Sequence, residues 1–127
     1  MTPRGKEKDC VQLAVRQYLE LRGWRVHRLT SDLRPGVGAH RADREPAGTP
    51  DLVAIKIECG TVPEDGGTLI RHVVAYRVRY IECKRSGETL SPVQRAMHDH
   101  LRAQGYRVIT VTGADAAEAV ANLEAQL

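Results

Sequence analysis

The stretch VAYRVRYIECK, from Val74 to Lys84, decides how this chain is read. Val74, Tyr76, Val78, Tyr80, Glu82 and Lys84 occupy alternate positions, with Ala75, Arg77, Arg79, Ile81 and Cys83 between them. That two-residue period predicts a β-strand with one set of side chains on each face. Glu82 and Lys84 then point the same way at the strand's end, and the backbone carbonyl of Cys83 lies between them as a hard oxygen donor.

Outward from this strand, Leu52 to Cys59 is rich in aliphatic and β-branched residues and predicts a second strand, opened by Pro50-Asp51 and closed by a turn region from Gly60 to Gly67. Further upstream, Val11, Ala14, Val15, Tyr18 and Leu21 recur at helical spacing, so Asp9 to Arg22 reads as an amphipathic helix with Gly23 as its cap. Trp24 to Leu29 suits a short strand. Thr30 to Thr49 carries Pro35, Gly36, Gly38, Pro46 and Gly48 and reads as a long loop. Loops of about 20 residues are uncommon in compact domains and are often binding elements.

Downstream, Ser91-Pro92-Val93-Gln94 is a helix opening: Ser91 as N-cap, Pro92 at the first helical position and Gln94 as the reciprocal partner of a capping box. This helix runs to about Gln104 with Val93, Met97 and Leu101 as its buried stripe. Tyr106 to Val111 follows as a strand, and an Ala-rich helix starts near Asp115. The order α-β-β-β-α-β-α predicts one α/β domain over residues 1–127, a mixed sheet flanked by helices.

A chain of 127 residues can bury most of its apolar surface in one core without disulfides or a structural metal. No apolar run approaches the roughly 20 residues that span a bilayer, and Met1 to Asp9 is polar, so a cytoplasmic protein without membrane contact is expected. The three cysteines, Cys10, Cys59 and Cys83, are an odd set without CxxC spacing and are read as reduced, packed thiols. A net charge of +3 is too mild to argue for a nucleic-acid partner by itself. The placement of arginine says more: Arg34, Arg41 and Arg44 fall in the long loop, and Arg71, Arg77, Arg79 and Arg85 lie around the decisive strand. Arginine forks match phosphate oxygens, although a solvated surface explains such residues equally well.

Asp51 and Glu82-Cys83-Lys84 together bring two carboxylates and an ammonium to the ends of two strands. Phosphodiester hydrolysis needs such a set: carboxylates to hold a divalent metal that activates water, and a cation beside the scissile phosphate. Oxygen donors favour Mg²⁺ or Mn²⁺. Taken alone, Asp51 is equally well a turn cap, and Glu82 with Lys84 a surface charge pair of little energetic weight.

The surrounding motifs decide between these readings. Gly48-Thr49-Pro50-Asp51-Leu52-Val53, Tyr80-Ile81-Glu82-Cys83-Lys84, Leu90-Ser91-Pro92-Val93-Gln94 and Gly105-Tyr106-Arg107-Val108 follow in that order. With them the chain resembles the VRR-Nuc family (virus-type replication-repair nucleases) of the PD-(D/E)xK nuclease superfamily over nearly its whole length. The resemblance implies a restriction-endonuclease-like fold with an αβββαβ core and a metal-dependent DNA endonuclease. By position it implies Asp51 and Glu82 as metal ligands, Lys84 as the catalytic cation and Gln94 as a further active-site residue. For Gln94, the capping box is an equally good explanation. Stand-alone members of the family look like archaeal junction resolvases, which implies a homodimer acting on branched DNA, Holliday junctions above all.

The chain departs from the family in its first helix, where related nucleases often carry a Glu that reaches the metal. Gln12 fills the expected position, with Glu7 and Asp9 upstream and Glu20 further along, and Glu7 ranks above Glu20 as an additional ligand. The alternative function is a catalytically silent nucleic-acid-binding module on the same fold, and a protein-interaction domain is a third. His98 and His100, two residues apart on a helix, are read as a solvated face, and Trp24 as core.

Overall fold

The alternating stretch around Val74 lies within a strand of 17 residues, and the rest of the sheet is built on it. The computed structural model describes residues 4–29, 47–63 and 66–127, of which residues 4–9, 62, 73 and 74 are described by backbone alone. The elements are α1 (Arg4–Leu21), β1 (Arg25–Arg28), β2 (Leu52–Pro63), β3 (Leu69–Arg85), α2 (Pro92–Ala103), β4 (Arg107–Gly113) and α3 (Ala116–Gln126). Their order is the predicted one. The expected loop from Thr30 to Thr49 lies outside the described residues up to position 46, and with it Arg34, Arg41 and Arg44.

The sheet has the order β1-β2-β3-β4. β1 and β2, and β2 and β3, pair antiparallel, whereas β3 and β4 pair parallel, with α2 as the crossover between them. The register sets Leu52, Ile81 and Ile109 side by side, and likewise Ala54 beside Val26. Together with Cys83 and Val111 they form one apolar face, packed by Val11, Val15 and Leu19 of α1 and by Ala119 and Leu123 of α3. Each fully buried Leu, Ile or Val contributes about 1.5–3 kcal/mol, so the stability of the fold resides on this face. α1 ends where Trp24 N–H donates to Leu19 O at 3.0 Å and Gly23 N–H to Glu20 O at 3.1 Å. This Schellman closure requires the positive φ of Gly23, +89°, and turns Trp24 into the core.

Two strand limits differ from the sequence expectation. β2 continues through the presumed turn to Pro63, because a register shift at Glu58/Cys59 absorbs one residue and lets pairing run on to Pro63 opposite Leu69. β3 accordingly starts at Leu69. β1 begins opposite Ile55 and β4 opposite Arg79, so the far part of the β2–β3 ribbon has no flanking strand among the described residues.

α2 also differs. Its capping box is present as predicted, but Val93 is 52% exposed, and the residue α2 buries completely is His98. The helix lies on the sheet face opposite α1 and α3, and that face carries charge.

Candidate active site

Asp51 directly precedes β2 and is buried, at 3% exposure. Because β2 begins at Leu52, opposite Ile81, β3 runs on past the start of its neighbour. There the Asp51 carboxylate takes the place of a strand partner: Cys83 N–H donates to its Oδ2 at 2.8 Å. In a strand, the N–H and C=O of one residue face the same neighbour, so the Cys83 carbonyl is turned toward the Asp51 side as well.

Glu82 and Lys84 flank Cys83 and project to the α2 face, beside Thr110 and Thr112 of β4. They are buried to 1% and 8% exposure. Ionised groups are seldom so buried unless they are paired or serve a ligand. Asp51, bonded to the Cys83 peptide, and the side chains of Glu82 and Lys84 on either side of Cys83 lie at one end of the sheet.

The loop that delivers Asp51 is fixed against α2. Gly48 has φ +83°, and a Cβ there would stand 2.6 Å from the carbonyl oxygen of Val93. Only glycine permits both that backbone angle and that approach. The Gly48-Thr49-Pro50-Asp51 and Ser91-Pro92-Val93-Gln94 segments, distant in sequence, are thus in contact.

His98, read from the sequence as part of a solvated face, is the opposite: the fold turns it inward onto the sheet. It is fully buried, with Nε2 at 3.5 Å from Glu82 Oε1, while neither ring nitrogen has a well-directed hydrogen bond among the described residues. Burial, then the nearby Arg102 charge, push its pKa below the ordinary value, against the opposing pull of Asp99. The available signal was its position four residues after Gln94, on the same side of the helix that follows the Glu82-Cys83-Lys84 strand. His100 is exposed, in keeping with its reading as solvated.

Other expectations separate. The hydrogen bonds of Gln94 are those of the cap: its Oε1 accepts from Ser91 N–H at 2.9 Å, and its own N–H donates to Ser91 Oγ at 3.1 Å. Gln12 is 8% exposed and lines, with Arg16, Arg28 and Leu52, a cleft of about 250 Å³ at the start of β2. α1 thus approaches the Asp51 end of the sheet with an amide. Glu20 forms a half-exposed pair with Arg16 at 3.0 Å, a surface contact. Glu7 lies in α1, but its side chain is outside the described residues. Among the described residues no three His, Cys, Asp or Glu side chains gather into a metal-binding group. Two carboxylates and a carbonyl remain the oxygen donors that suit a hard divalent cation.

No family model matches the chain, and no curated protein matches it. Among solved structures, one described as "VRR_NUC domain" superposes with a TM-score of 0.55 and 18% sequence identity, covering 93% of this chain and 95% of that one. The likeness is one of fold: the chain has the α/β, restriction-endonuclease-like architecture of a VRR_NUC domain. Among the described residues no helix is long and apolar enough to cross a membrane.

Proposed function

We propose that the chain is a metal-dependent DNA endonuclease. The observation that carries the reading is the Asp51–Cys83 hydrogen bond of 2.8 Å, which joins one buried carboxylate to the peptide between Glu82 and Lys84. Asp51, Glu82 and the Cys83 carbonyl would hold Mg²⁺ or Mn²⁺, which supplies an activated water and charge neutralisation at phosphate. Lys84 places its ammonium where the phosphoryl oxygens gain charge. Gln94 has its carbonyl oxygen engaged in the cap, so its amide nitrogen is the atom left to reach a phosphate. Glu7 is the further ligand in this reading, from a helix that otherwise brings Gln12 toward the start of β2.

The substrate we propose is branched DNA, four-way junctions in particular, cut by a homodimer that presents two sites about a two-fold axis. A cytoplasmic location accords with this substrate. Labelled duplex, flap and four-way junction DNAs incubated with Mg²⁺, and in parallel with chelator, test the reading. Junctions should be nicked at symmetric positions with Mg²⁺ only, and light scattering should give about twice the 14.1 kDa chain mass. Binding without metal-dependent cleavage of any substrate would favour the silent nucleic-acid-binding module. What favours that alternative is Gln12, an amide where α1 approaches the Asp51 end of the sheet.

A further inference from the structure

β4 begins at Arg107, opposite Arg79, so β3 from Leu69 to Val78 has no partner on that side among the described residues. At this step in the sheet a groove of about 480 Å³ is lined by Tyr76, Arg77, Arg79, Arg102, Tyr106 and Arg107. A second cleft, about 350 Å³, adjoins it through Arg77 and Arg79 and adds Arg22, Lys56 and Trp24. Six cations therefore line one continuous surface. Three carboxylates accompany them: Glu58 at 2.8 Å from Arg77, Asp99 at 3.8 Å from Arg102, and Glu124 in the second cleft.

Arg79 is the centre of this surface. Its guanidinium lies over Trp24, 5.7 Å from the ring centroid, its NH1 group donates to Val78 O at 3.1 Å, and its Nε is buried without a partner among the described residues. Burial, then the adjacent Arg107 and Arg77 charges, lower its pKa. Like charges so gathered, with a donor left over, are complementary to an anion. The aromatic rings specify which kind. Tyr76 is 66% and Tyr106 41% exposed, and Tyr106 is set edge-on to Tyr80 with the centroids 5.4 Å apart. A cationic track beside exposed aromatic faces is the means by which proteins hold unpaired bases.

We propose that this groove binds a single-stranded nucleic-acid segment, with phosphates on Arg77, Arg79 and Arg107 and bases stacked on Tyr76 and Tyr106. Tyr76 lies on the face of β3 that carries Glu82, six residues before it, about 20 Å at strand rise. On the nuclease reading, on which this last step rests, the groove takes strand that is unpaired at the branch point of a substrate whose scissile phosphate lies at Lys84.

Binding of fluorescein-labelled oligothymidylate, followed by anisotropy in chelator across a series of salt concentrations, tests the groove whether or not Asp51 and Glu82 cut DNA. Tyr76→Ala and Tyr106→Ala should each weaken binding by about 5- to 150-fold, the loss expected for one stacked base. Their affinity for a blunt duplex of equal length should change less than 2-fold, by roughly the scatter of such comparisons. Arg107→Ala and Arg77→Ala should each lower the logarithmic salt slope for the single strand by about 0.7. Circular dichroism of each variant guards against misfolding. Unchanged single-strand affinity in both tyrosine variants would overturn the proposal, and so would equal losses for duplex and single strand, which would make the groove a duplex site.

Discussion

Cys83 donates its backbone N–H to the carboxylate of Asp51 at 2.8 Å, across 32 residues of sequence. Because the donor is the peptide, the aim of Asp51 depends on the relative positions of β2 and β3 and not on the side chain at position 83. That side chain points into the apolar face instead. One residue thus serves the core with its thiol and the site with its backbone.

Asp51→Ala should abolish cleavage and leave DNA affinity within a few fold, because phosphate contacts elsewhere position the substrate. Glu82→Ala should behave alike, and at low metal both variants should bind slightly better, since carboxylates repel phosphate. Single-turnover cleavage and anisotropy measure the two effects. Residual cleavage above about 1% in Asp51→Ala would exclude a metal-ligand role, since loss of metal activation costs several kcal/mol.

Lys84→Ala should slow cleavage while Mn²⁺ affinity, read by calorimetry, stays near wild type. Lys84→Arg should recover only part of the rate, because the larger guanidinium spreads its charge over a plane. A collapse of metal affinity in Lys84→Ala would make the lysine a structural support for the carboxylates.

Much of this site was legible because a strand repeats every two residues. Once Val74 to Lys84 is read as β, the shared direction of Glu82 and Lys84 follows, and Pro50-Asp51 at the head of the neighbouring strand completes the set. His98 was not legible in the same way. A helix leaves open which of its faces meets the sheet, and the apolar spacing of Val93, Met97 and Leu101 pointed to a different one. Burial of His98 depends on how α2 lies across Glu82, which is tertiary information. The length of β2 was hidden too, since Gly60 looks like a stop and the register shift at Glu58/Cys59 leaves no mark in the sequence.

His98→Ala, which empties a wholly buried position, should cost about 2–4 kcal/mol in chemical denaturation. His98→Leu should restore most of that stability by refilling the volume, but should not restore the cleavage rate, because no imidazole then stands 3.5 Å from Glu82. A His98→Leu enzyme as fast as wild type would reduce the ring to packing.

Gly48→Ala should lower stability by about 1–3 kcal/mol from the backbone conformation alone, with a further cost from the clash at the Val93 carbonyl. Thermal melting should register this as a drop of roughly 5–10 °C. Cleavage should fall more steeply than stability, because relief of the clash displaces the segment that carries Asp51. A variant with wild-type melting and rate would show that this contact is not needed.

The parallel pairing of β3 with β4 and the packing of α1 against α3 set a timetable for synthesis. When a ribosome has delivered Lys84, both carboxylates exist and the antiparallel strands can zip, yet β4 is still unmade and α1 has no helix beside it. Antiparallel neighbours form early because their loops are local; the crossover strand and the α1–α3 contact close much larger loops and come late. The nascent chain therefore holds Asp51 and Glu82 on a half-built sheet, without His98 above Glu82 or Thr110 beside it. The candidate site is complete only once the final third of the 127 residues has been added, so on the nuclease reading a chain interrupted during translation would be left without a cutting edge.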